Sequence, residues 1–113
     1  PMLRHLLATC EQVFERIVVV VGPDMAALAR AAAPHATVVQ AERLGTGHAA
    51  LQAQSVLGEF PGDAAVLYAD NPLITPETIR ALLARRRAGG AALALLAMRP
   101  ADPGRYGRVV EDG

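Results

Sequence analysis

The chain has no lysine, no tryptophan and a single cysteine, and each shortage removes a class of chemistry. All eleven basic residues are arginine, so a lysine point charge held on a phosphate is excluded, as is any G-x-x-x-x-G-K cradle. Cys10 has no second thiol to pair with, and the nearest upstream histidine, His5, stands at i−5, off the helical face that an activating partner would share. Cys10 therefore reads as a small core residue in a chain with no internal disulfide, and a cytoplasmic location is expected. No apolar run reaches the roughly 18 residues that a membrane-spanning helix needs, so no membrane partner is expected. Aromatics make up 4% of residues and the formal charge is zero, which argues against a nucleic-acid partner. The one dense basic run, Arg85-Arg86-Arg87, falls at the end of an expected helix, where cations complement the dipole.

What is present is apolar: 52% hydrophobic residues against 19% charged ones, enough for one folded core in 113 residues. Leu3, Leu6, Leu7, Cys10 and Phe14 recur at helical spacing and predict an amphipathic first helix. Ile17 to Val21 is a continuous run closed by Gly22-Pro23, the pattern of a strand covered on both faces. Asp24 is placed as the cap of a second helix, striped by Met25, Leu28, Ala29 and Ala32 and ended by Pro34. Thr37-Val38-Val39 predicts a strand. Ala49, Ala53, Val56 and Leu57 predict a helix stopping near Gly58. Ala64 to Tyr68 and Ala91 to Met98 read as further strands. Between them, Thr75-Pro76-Glu77 supplies a cap, a first-position proline and an acidic first turn for a helix carrying Ile79, Leu82 and Leu83 to Gly89-Gly90. Alternating strands and helices predict an α/β fold with a mostly parallel sheet and helices on both faces.

In such sheets ligands sit beyond the carboxyl ends of strands. The loop from Gln40 to Ala49 lies there: Gly45 and Gly47 leave the backbone open, Gln40 offers a donor and an acceptor, and Thr46 adds a hydroxyl. Asp70 follows the expected strand from Ala64 to Tyr68, after Ala69. Gly104-Arg105-Tyr106-Gly107 forms a third glycine-containing segment near the end. In order and spacing, Gln40-Ala41-Glu42-Arg43-Leu44-Gly45-Thr46-Gly47-His48-Ala49, Val66-Leu67-Tyr68-Ala69-Asp70-Asn71-Pro72 and the Gly107 segment resemble the uridylyltransferase domain of bacterial bifunctional N-acetylglucosamine-1-phosphate uridyltransferases.

That resemblance implies a Rossmann-like nucleotidyltransferase fold of the nucleotide-diphospho-sugar transferase type. It implies uridylyl transfer from UTP to N-acetylglucosamine 1-phosphate, giving UDP-N-acetylglucosamine and pyrophosphate. It places Gln40, Gly45 and Thr46 in the uracil-nucleotide pocket, Tyr68, Ala69 and Asp70 in the nucleotide-sugar and metal region, and Gly107 on the sugar side, with Mg²⁺ held by Asp70. An amide suits a uracil edge as donor and acceptor together. A hard cation takes a few carboxylate oxygens plus the substrate's phosphates. His48 is expected as a neutral imidazole bonded to its loop, not as a catalytic base.

Against the resembled pattern, Ala69 stands where glycine is usual and Asn71 where a small apolar residue is frequent. Alanine fits if the backbone there has negative φ. The resembled enzymes open with a strand, a glycine-rich loop and a lysine ahead of a segment like Pro1-Met2. Residues 1–113 are accordingly expected to be part of a nucleotidyltransferase domain without its first strand, phosphate loop and C-terminal part, inactive alone, with any homo-oligomer formed through those other regions. Two other readings stand beside it: a related sugar or molybdopterin nucleotidyltransferase, and a non-catalytic module that binds a nucleotide sugar.

Overall fold

The computed structural model describes residues 2–71, 73–99, 101, 102, 104 and 110. They fall into two compact units, Pro1–Arg80 and Ala81–Gly113.

In the first unit α1 (Met2–Glu11) carries the expected stripe, with Leu3, Leu6, Leu7 and Cys10 all buried. Phe14 lies past its end, in a turn where its N–H bonds the carbonyl of Cys10 at 2.9 Å. Leu3 and Leu7 pack with Ala32 and with half-buried Ile17, Val19 and Ala31 to form the core. Burial, helped by the negative charge of Glu11, pushes the Cys10 thiol above its ordinary pKa, as a packing cysteine requires.

β1 (Val18–Val21) and β2 (Ala36–Val39) pair in parallel, Val18 opposite Ala36 and Val21 opposite Val39. A parallel pair needs a crossover, and α2 (Ala26–Ala31) provides it. β1 is less covered than its sequence suggests: Val18 to Val20 are half-buried and only Val21 is buried. Asp24 is not the cap of α2. The chain turns first, Met25 N–H bonding Gly22 O at 3.3 Å, so Met25 occupies the cap position and no side chain bonds there.

After β2 the helix begins earlier than Ala49, at Thr46 inside the glycine loop, as α3 (Thr46–Gln52). It breaks at Ala53, continues as α4 (Gln54–Leu57) and ends at Gly58, whose φ of 61° suits glycine alone. Arg16 donates to the carbonyls of Val56 and Leu57 at 2.9 and 3.4 Å, satisfying the last turn.

The expected strands at Ala64–Tyr68 and Ala91–Met98 do not form: both runs are without regular structure. Their apolar side chains are exposed, among them Val66, Tyr68, Leu93 and Leu95. The reason is that β character belongs to pairs. A run with strand composition becomes a strand only where a neighbour's N–H and C=O groups complete its ladder, and among the described residues the sheet has only β1 and β2.

α5 (Pro76–Ala88) starts as its sequence predicts. Thr75 Oγ1 accepts the N–H of Thr78 at 3.1 Å, Glu77 lies in the first turn, and Ile79 is 1% exposed. Arg80 ties this turn to the end of α1 by donating to Gln12 O at 3.1 Å. In the second unit Leu82 and Leu83 are half-buried and Arg85, Arg86 and Arg87 occupy the last turn. Gly90 at φ 60° closes it. No described helix is long and apolar enough to cross a membrane.

Candidate functional site

The loop after β2 departs from the carboxyl end of the parallel pair. Gln40 extends the ladder by one bond, its N–H donating to Val21 O at 2.8 Å, and so its side chain starts from a fixed backbone position. Gly45 then takes φ 107° and ψ 177°, a conformation closed to residues with a Cβ, and its carbonyl accepts Ala49 N–H at 3.0 Å to begin α3. A Cβ built on Gly45 or Gly47 would meet nothing within 4 Å, so both backbones face open space.

Gln40, Gly45 and Thr46 line one open cleft of about 370 Å³. The structure thus brings together the three residues assigned to the uracil pocket. Thr46 Oγ1 makes no hydrogen bond among the described residues. Gln40 is engaged: its Nε2 donates to Gly45 O at 3.3 Å and lies 2.9 Å from His48 Nδ1. Its oxygen is the part of the amide without a partner among the described residues. His48 is therefore bonded to its own loop, and Gln52 meets the other side of the ring, its Nε2 being 3.2 Å from His48 Nε2 and from His48 O.

The rest of the cleft is lined by residues that the sequence assigns no site role. Val20, Val21, Gly22 and Met25 come from β1 and the turn after it, and Arg43 and Ala49 from the loop itself and α3. Gly22 lies beside Arg43 and Met25. A Cβ there would stand 3.4 Å from Arg43 Nη2 and from Met25 Sδ, which also receives the Gly22 N–H at 3.3 Å. The signal was available: Gly22-Pro23 follows a strand parallel to β2, so the two turns must share an end of the sheet. Among the described residues, Arg43 gives this cleft its one guanidinium.

Tyr68, Ala69 and Asp70 sit in a separate turn, closed by Asn71 N–H to Tyr68 O at 3.1 Å, and are not part of the cleft lining. No described non-glycine residue has positive φ, so Ala69 meets the condition under which alanine fits there. The Asp70 side chain is exposed and makes no hydrogen bond among the described residues, so it does not cap its turn. Among the described residues no three acidic, histidine or cysteine side chains gather as a metal cluster. A single unpaired carboxylate fits a hard cation that draws its other oxygens from phosphates and water. Gly107 lies outside the described residues. A larger cavity of about 610 Å³ in the second unit, lined by Arg85, Gly89, Leu93 and neighbours, includes none of the expected site residues.

Comparison with known proteins places the chain in a family. The chain is 61% identical over 111 residues to the bifunctional protein GlmU of Granulibacter bethesdensis, covering 98% of this chain and 24% of that protein. It is 62% identical over 112 residues to the protein of the same name from Gluconobacter oxydans, covering 99% and 24%. The match to that of Gluconacetobacter diazotrophicus is 61% over 118 residues, covering 100% and 25%. The chain thus spans about a quarter of the length of these curated relatives. A family model for the MobA-like NTP transferase domain matches residues 1–109, and the chain, with its parallel β1–β2 pair, belongs to that family.

Proposed function

We propose that this chain supplies the uridine-reading part of an enzyme that transfers a uridylyl group from UTP to N-acetylglucosamine 1-phosphate, releasing pyrophosphate. The observation that carries the proposal is the cleft at the carboxyl end of β1 and β2, where Gln40, Gly45 and Thr46 converge. An amide held on a sheet, beside a glycine backbone with nothing above it, suits a flat polar ring. The likeness to proteins named bifunctional GlmU supports the same reading.

The reaction joins two anions, so its barrier falls mainly by alignment and charge neutralisation. Mg²⁺, when bound, screens the phosphates, and Asp70 would hold it. Tyr68, Ala69 and Gly107 belong to the nucleotide-sugar side in this reading. Catalysis is proposed for the complete protein, because no lysine or phosphate cradle occurs within residues 1–113, and a cytoplasmic location is proposed with it.

The test is pyrophosphate release by the complete protein with N-acetylglucosamine 1-phosphate and either UTP or CTP, with and without Mg²⁺. Preference for UTP and dependence on Mg²⁺ are expected, with Asp70→Asn losing the metal response. Preference for CTP would sink the substrate assignment, and an unaltered metal response in Asp70→Asn would remove that residue from the metal. Binding of UDP-N-acetylglucosamine in calorimetry without any turnover would favour a non-catalytic binding module.

A further inference from the structure

Each ring nitrogen of His48 has a glutamine amide nitrogen beside it, Gln40 Nε2 at 2.9 Å from Nδ1 and Gln52 Nε2 at 3.2 Å from Nε2. A neutral imidazole accepts a hydrogen bond at one nitrogen only. The shorter contact, 2.9 Å from Gln40 Nε2 to Nδ1, takes that role, which leaves the proton on Nε2. Gln52 then serves the ring only with its oxygen turned toward it; with its nitrogen there, it holds the His48 carbonyl instead, at 3.2 Å. On the other side, the two hydrogens of Gln40 Nε2 are both spent, one on His48 Nδ1 and one on Gly45 O at 3.3 Å. The amide cannot rotate by half a turn without setting its oxygen against the Gly45 carbonyl and, in this tautomer, against the Nδ1 lone pair.

We infer that His48 is a positioning residue that locks the Gln40 amide with its carbonyl oxygen free for ligand, and thereby makes the cleft select a pyrimidine that presents an N–H. Uracil carries a hydrogen on N3; cytosine has a lone pair there. A fixed acceptor pairs with the first and repels the second, whereas a freely turning amide serves both. This inference rests on the proposed uridine-reading role of Gln40 and adds the reason its amide points one way. Selection does not come from Gln40 alone, because an isolated glutamine is a donor and an acceptor in equal measure.

The experiment is a steady-state comparison of UTP and CTP in the complete protein carrying His48→Ala, His48→Asn or His48→Gln. Asparagine places an amide near the position of Nδ1, within reach of Gln40; glutamine reaches toward the position of Nε2, on the side of Gln52. The expected result is that His48→Ala raises the KM for UTP and lowers the UTP-over-CTP preference by about tenfold, with kcat changed far less. His48→Asn is expected to restore much of that preference and His48→Gln to restore little. If His48→Ala does not fold, the Asn and Gln pair carries the comparison. A wild-type preference retained in His48→Ala, or equal rescue by the two amides, overturns the positioning role while leaving the proposed function in place. A wild-type protein indifferent between UTP and CTP overturns that function, and the positioning role with it.

Discussion

The carbonyl of Gly45 accepts the Gln40 side-chain amide at 3.3 Å while Gly45 itself holds φ 107°, so one residue both shapes the loop and anchors its amide. Gly45→Ala meets no clash, since nothing lies within 4 Å of the added methyl, and its whole cost is backbone strain of about 1–3 kcal/mol. Urea unfolding of the complete protein reads that cost. A change under about 0.5 kcal/mol, in the range of ordinary surface substitutions, would show that the loop adopts another backbone path at no expense.

Gln40→Ala removes the amide and leaves the Gly45 carbonyl and the His48 ring without it. Affinity for uridine nucleotides is expected to weaken by about 1–3 kcal/mol, measured by calorimetry with UTP. Unchanged affinity would confine Gln40 to holding its loop together.

Thr75 Oγ1 caps α5 through the N–H of Thr78. Thr75→Ala is expected to lower stability by about 0.5–2 kcal/mol, with Thr75→Asp recovering most of the loss because aspartate caps as well. Denaturant midpoints for the two variants check it, and equal losses in both would show that the cap contributes little.

Burial raises the pKa of the Cys10 thiol, with Glu11 adding to the rise. The unfolded chain therefore releases this proton at a lower pH than the folded one. Its contribution to stability is full below the ordinary thiol range, near pH 8.5, and is lost as pH rises through the raised folded value. Stability measured against pH is expected to fall more steeply above that range in the wild type than in Cys10→Ala. Alkylation of the native protein at neutral pH is expected to be slow, and rapid labelling would contradict the buried position.

The first unit was legible where local signals and packing agree. The Leu3, Leu6, Leu7 and Cys10 stripe, the Thr75-Pro76-Glu77 start and the Gly58 stop all appear where periodicity and capping put them. Asp24 failed as a cap because the Gly22–Met25 turn takes up the residues a cap would need. In the site, Gln40, Gly45 and Thr46 were recognisable from the polarity and glycine content of one short loop. Gly22 and Met25 were not, because they reach the cleft through the pairing of β1 with β2.

By itself, the sequence determined the helices of one amphipathic stripe, the absence of lysine and of an internal disulfide, and a glycine-containing polar loop after the second strand. These depend on spacing and residue identity, which are properties of a single segment. Tertiary structure alone decided which apolar runs became strands and which way the Gln40 amide faces. Among the described residues Val18–Val21 found a partner and Ala64–Tyr68 did not, and the amide of Gln40 meets a ring eight positions away. Both outcomes turn on hydrogen-bond partners brought from elsewhere in the chain, and no local pattern encodes where a partner will be.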